Sequence, residues 1–326
     1  MRSRRVFLVS VAVSALALTC GIAAQVYPSR PITMIVPYPA GGPTDTIARI
    51  MAEGMRPSLG QPIVIENVGG ASGSIGTGRV ARAAGDGYTL GLGLWPTHVI
   101  NGAVFTLPYD VLNDFQPVSL LVTNPLLIVA RKSLPARDLR ELISWLKANP
   151  DKASAGTGGA GGASHVAGIY FQKQTRTRFA FISYRGLGPA MQDLVAGQID
   201  ILFDYAANSL PQVRSDTIRA YAVTAPSRLS AAPEIPTVDE AGLPGFYISA
   251  WHAFFVPKGT PPTIVGVLNQ AAIEALADPI VRRRLNDLGQ EIYPRDQQTP
   301  EALAAFHKAE IDKWWPLIKA AGIKSE

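Results

Sequence analysis

Cysteine is nearly missing from this chain. Its 326 residues include one, Cys20, inside a stretch that reads as a leader. A mature chain without it has no disulfide and no thiol chemistry. Histidine is scarce too, and His98, His252 and His307 stand alone, without the spacing of metal ligands. No basic run is interleaved with aromatic residues, which argues against nucleic acid as a partner. After the leader no apolar stretch reaches the roughly 18 residues needed to span a bilayer. There is no P-loop pattern, and none of Ser72, Ser74 or Ser164 sits in the G-x-S-x-G frame of a nucleophile elbow.

The leader is legible from its layout. Arg2, Arg4 and Arg5 precede the apolar run Val6–Thr19, and the small residues Gly21, Ala23 and Ala24 follow. Residues 1–24 are therefore expected to be an export signal cleaved near Ala23 or Ala24. Ser3-Arg4-Arg5-Val6-Phe7-Leu8 also fits a twin-arginine signal, so both export routes stay open. Ala17-Leu18-Thr19 makes a poor lipobox before Cys20. Without the three leader arginines, 27 basic residues face 25 acids, a net charge near +2. The mature product is expected to be soluble and exported.

What the chain has in quantity is glycine, 30 residues, much of it where a strand pattern turns into a helix pattern. The stretch Tyr38-Pro39-Ala40-Gly41-Gly42-Pro43-Thr44-Asp45 is the first case. It links a strand at 27–37 to a helix at 44–56, where Ile47, Ile50, Met51 and Met55 recur at helical spacing. A strand at 62–66 leads through Gly69–Gly76 to a helix near 77–84. A strand at 88–94 runs into Trp95-Pro96-Thr97-His98. The apolar run 118–129, broken at Thr123-Asn124-Pro125, is long for one strand and reads as a crossing between two lobes. Beyond it come a helix at 138–149, the loop Gly156–His165, a helix at 164–175 and a strand at 179–184. Arg185-Gly186-Leu187-Gly188-Pro189 opens a helix running to about 196, and strands follow at 199–204 and 218–224. A Pro- and Gly-rich linker at 226–246 precedes a strand at 247–256. Helices at 263–276 and 301–313 close the chain, with Pro316 interrupting the last and Trp251 reading as core. The class is α/β, and 47% apolar content suffices for two packed domains.

Each glycine turn exposes unpaired amides at the positive end of a helix, a place that attracts carboxylates as readily as phosphates. Two lobes built this way would gather four helix N-termini around one cleft. The candidate ligand-binding residues are Tyr38, Ala40, Gly41, Gly42, Thr44, Asp45, Ser72, Ser74, Trp95 and Thr97 in the first half. In the second they are Thr157, Gly158, Ser164, His165, Tyr184, Gly186 and Asp204. Asp45 reads equally well as a first-turn acid, and Ser72, Ser74, Thr157 and Ser164 as helix caps. His165 reads equally as an orienting contact, and Asp204 would repel an anion unless a water or an amine intervened. Gly156-Thr157-Gly158-Gly159-Ala160-Gly161 matches a dinucleotide fingerprint. The acid expected about 20 residues later is missing, because no Asp or Glu lies between Ser154 and Gln192. No metal or cofactor is expected. The rival class is an exported hydrolase with an unrecognised catalytic site.

A series of segments carries a family resemblance. They include Tyr27-Pro28-Ser29-Arg30-Pro31-Ile32, Pro39–Asp45, Asp86-Gly87-Tyr88-Thr89-Leu90, His165-Val166-Ala167-Gly168 and Tyr184–Ala190. Ala196-Gly197-Gln198-Ile199-Asp200, Arg219–Thr224, Val238–Gly242 and Pro257–Pro261 complete it. Over essentially the whole mature chain the sequence resembles the substrate-binding proteins of tripartite tricarboxylate transporters, the Bug family. The resemblance implies a type II periplasmic binding-protein fold with two lobes, two crossings and a ligand cleft. The first lobe would comprise 25–125 plus 226–326, and the second 126–225. It implies a periplasmic receptor, not an enzyme, expected to be a monomer. Such a receptor holds a small carboxylate, often a dicarboxylate, and presents it to a membrane permease. Trp95 departs from the small polar residues common in relatives, which makes it the expected specificity position.

Overall fold

The computed structural model describes residues 27–159, 161–184 and 186–322. The expected leader and Arg185 lie outside them.

The first lobe starts from β1 (Ile32–Val36), α1 (Pro43–Leu59), β2 (Ile63–Asn67), α2 (Ser74–Ala81) and β3 (Thr89–Leu94). The strands pair in parallel in the order β2-β1-β3. Parallel pairing requires crossover connections, and helices supply them. β1 is an almost unbroken apolar run because both its faces are covered, and Ile32, Met34, Ile35 and Val36 are all buried. A turn of π-helix, Pro96–Ile100, continues directly into α3 (Asn101–Val104).

β4 (Phe115–Arg131) then passes from one lobe to the other. From Phe115 to Pro125 it pairs antiparallel with β9 (Ser249–Pro257), which in turn pairs with β3. From Leu126 onward it pairs with β7 (Ile201–Tyr205) and β8 (Ile218–Val223). The second lobe adds α4 (Leu139–Ala148), β5 (Ser154–Thr157), α5 (Ala163–Thr175), β6 (Ala180–Ser183), α6 (Leu187–Val195) and α7 (Ala206–Arg214). Here β5 lies parallel to both β6 and β7. The chain returns through 224–248. Thr224 ties the two crossings together: its hydroxyl accepts from the Leu126 amide at 2.9 Å and lies 2.6 Å from the Ile248 carbonyl. Then come α8 (Pro262–Ala277), α9 (Pro279–Asp287), β10 (Glu291–Ile292) and α10 (Pro300–Ala320).

The apolar stripe of α1 meets that of α8. Ile47, Ile50, Met51 and Met55 share a buried cluster with Val265, Leu268, Ala272 and Leu276. Gly54 permits the close approach, since a Cβ there would stand 2.8 Å from Val281 Cγ2 and 3.0 Å from Ala275 Cβ.

Some boundaries differ from the sequence reading. α1 continues past Arg56-Pro57 to Leu59, where Gly60 closes it at φ 64° with its N–H on the Arg56 carbonyl. A proline in the last turns removes one hydrogen bond, and the remaining turn is held by the left-handed glycine cap. α10 likewise runs through Pro316. The expected linker at 226–246 is not a free connection of the first lobe. Thr237 bridges to Val223, Leu229 and Ile235 pack with Leu127 and Leu202, and Phe246 stacks on Tyr170. The second crossing therefore falls at 248–249, opposite Pro125 in β4.

Candidate functional site

The parallel strands of both lobes end toward each other. Where the carboxyl ends of β1 and β3 and the connection after β2 face the loop after β5, the structure holds a cleft of about 570 Å³. This is the location and size expected of a small-molecule site in an α/β fold. Tyr38, Ala71 and Ser72 line the first-lobe side with Pro96, Ile100, Asn101, Val104 and Phe105. The second lobe contributes Gly158, Gly159, Gly161 and Gly162, which is backbone without side chains.

Three of the sequence candidates thus meet in one cleft: Tyr38, Ser72 and Gly158. Ser74 sits just behind. Its hydroxyl accepts from the Asn101 amide at 3.1 Å, and the same amide donates to the Ser72 carbonyl at 2.9 Å. Burial pushes the Tyr38 phenol up to about 12, so it stays a neutral donor at physiological pH.

Other candidates are drawn into the protein itself. Asp45 is buried and accepts from the Gly41 amide (2.9 Å), Arg49 Nε (2.9 Å) and Asn67 Nδ2 (3.0 Å). The Arg49 hydrogen bond does most to hold its carboxyl down to about 2. Asp45 is thus the first-turn acid of α1, and its loop, with Ala40, Gly41, Gly42 and Thr44, is outside the cleft lining. Buried Ser164 accepts from the Gly158 amide at 2.9 Å. His165 Nδ1 accepts from the Gly161 amide at 3.1 Å, its ring rests edge-on to Phe181, and burial lowers its pKa. Thr157 is buried at the end of β5. Tyr184 gives its hydroxyl to Asp193 at 2.7 Å, and Gly186 begins α6 at φ 112°.

Trp95 and Thr97 are the clearest corrections. The Trp95 indole is fully buried, edge-on to Trp314 of α10 at 5.4 Å, and Thr97 bonds the Leu94 amide at 3.1 Å and His98 Nδ1 at 2.9 Å. Both form the floor beneath the π turn, because a strand that enters a helix directly sends its first side chains into the sheet–helix core. Asp204 is also fully buried. One carboxylate oxygen accepts from Asn208 (2.8 Å) and Ser209 (2.7 Å), while the other has no partner among the described residues. Burial pushes this carboxyl up to about 6, against the opposing pull of those hydrogen bonds.

Sequence reasoning missed Asn101, Ile100, Val104 and Phe105. The signal was present: Pro96, Ile100 and Val104 recur every four residues, the spacing of one helix face. Among the described residues no cluster of three or more His, Cys, Asp or Glu side chains is placed to hold a metal.

The comparisons with known proteins agree with this architecture. Residues 47–323 match the model of the tripartite tricarboxylate transporter family receptor. The chain belongs to that family. Among solved structures, the periplasmic binding protein BugD is 40% identical and superposes with a TM-score of 0.74, over 92% of this chain and 100% of its own. MatC from Rhodopseudomonas palustris, solved with malate bound, is 40% identical over 90% and 100% of the two chains, TM-score 0.74. An R. palustris protein solved with adipate is 32% identical over 92% and 100%, TM-score 0.76. This receptor is accordingly a periplasmic solute-binding protein with the two-lobed fold of its family.

Proposed function

We propose that this receptor captures a small carboxylate, a dicarboxylate with an aliphatic or aromatic body, between its lobes and presents it to membrane permease subunits. It acts as an exported monomer without catalysis. The observation that carries the reading is the cleft itself. Glycine backbone from the second lobe faces Ser72 and Tyr38 of the first, and no lysine or arginine is among the described lining residues. Amides and hydroxyls at helix ends hold carboxylates without formal cations. The malate and adipate found in the two Rhodopseudomonas relatives support the ligand class.

A thermal-shift screen of the mature chain against mono-, di- and tricarboxylates tests this. A ligand at 100 times its Kd adds about 2.7 kcal/mol, a readable rise in Tm. A screen in which no carboxylate shifts the transition, while a neutral sugar or an amine does, refutes it.

A further inference from the structure

The two walls of the cleft are unlike. On the first-lobe side, Pro96, Ile100 and Val104 lie four apart along one continuous helix and so share a face. Phe105 extends it. The polar side chain of this wall, Asn101, already spends its amide group on Ser72 and Ser74. The opposite wall is the glycine backbone of residues 158–162. A ligand filling this space meets the Ser72 and Tyr38 side chains and a glycine backbone whose Gly158, Gly161 and Gly162 amides are already paired, and hydrocarbon along its length.

Given the carboxylate-binding reading above, on which this inference rests, we propose that the Ile100–Val104–Phe105 wall is the specificity determinant. It favours a dicarboxylate with an unsubstituted apolar body, of adipate length or longer, over a short hydroxylated one such as malate. A hydroxyl midway along the ligand would be stripped of water against Ile100 and Val104, and among the described residues of that wall only the Asn101 side-chain oxygen is left to accept from it. Each added methylene in contact with the wall gains roughly fourfold in affinity.

The test is calorimetry of the mature chain with succinate, adipate and malate, repeated on Val104→Thr. Val104 is only partly buried, so the added hydroxyl changes the wall with little effect on folding. Phe105→Leu serves in its place if Val104→Thr lowers Tm. Adipate is expected to bind roughly fifteenfold more tightly than succinate through its two extra methylenes. Malate is expected to be no tighter than succinate, and Val104→Thr to shrink the adipate advantage while leaving succinate unchanged. Malate as the tightest ligand, or an adipate advantage that both wall variants leave intact, overturns this inference alone. Silence with all three diacids counts against the carboxylate reading itself.

Discussion

Asp204 and His252 should pull the stability of this protein in opposite directions as pH changes, and each can be exposed by removing the other. Asp204 lies buried in the second lobe with its carboxyl pushed up to about 6 from 3.8. His252 lies buried in β9, both ring nitrogens lack a partner among the described residues, and burial pushes it down to about 4 from 6.5. Between pH 4 and 6 the folded state holds a proton at Asp204 that the unfolded chain has released. Stability from that site is therefore full below pH 4 and is lost as pH rises through 6. For His252 the unfolded chain holds the proton, so stability is full above 6.5 and is lost as pH falls toward 4. Each shift is two units or a little more, about 3 kcal/mol at about 1.36 kcal/mol per unit. In the parent the two contributions largely cancel over this window. Asp204→Asn should unmask the histidines, so that unfolding free energy rises by at least about 3 kcal/mol from pH 4 to 6.5. His98 and His307, also lowered by burial, add to the same slope. His252→Leu should lower the slope below the parent's over the same window. Urea unfolding of parent and both variants at half-unit steps from pH 4 to 7.5 measures this. An Asp204→Asn profile parallel to the parent's would show that Asp204 does not titrate in this range, and the burial argument would fall.

Three further outcomes follow from the packing. Gly54→Ala should cost about 1–3 kcal/mol in urea unfolding, because its methyl must displace Val281 of α9 or Ala275 of α8. Thr224→Val should cost about 1–3 kcal/mol and raise amide exchange at Leu126, whose N–H loses its acceptor at the crossing. Trp95→Phe should cost about 1 kcal/mol of stability from the lost edge contact with Trp314. It should leave the adipate-to-succinate ratio unchanged, a result opposite to that of a cleft residue.

The two-lobed α/β plan was legible because its signals are local. Apolar runs mark β1 and β3, and 3.6-residue spacing marks α1, α4 and α8, whereas β5, Ser154-Ala155-Gly156-Thr157, carries no such signal and half of it reads as loop. The run at 118–129, read as long for one strand, lies within the single strand β4, which pairs with β9 up to Pro125 and with β7 and β8 from Leu126. The return crossing was less visible: Leu229, Ile235 and Phe246 sit in a Pro-rich stretch without periodicity, and only tertiary packing reveals that they cover the second lobe. At the site, sequence identified the loops but not the direction of their side chains. Trp95 and Asp204 stand at strand ends like Tyr38, yet turn inward, and nothing in their local sequence distinguishes a floor from a wall.

The placement of the cleft has an electrostatic reason that the glycine loops alone do not supply. Both α1 and α5 begin after such loops, and in both the loop donates amides to side chains of the first turn. At α1 the acceptor is the Asp45 carboxylate, charged across the physiological range, which offsets the positive end of that helix. At α5 the acceptors are the Ser164 hydroxyl and the His165 imidazole, which burial keeps from taking up a proton at neutral pH. The helix dipole at α5 is left uncompensated by any charge from these caps, while its loop is held in shape before a ligand arrives. The Gly158 and Gly161 amides therefore act as fixed backbone, and the neutral caps at α5 add no charge that repels an anion, as the Asp45 carboxylate does at α1.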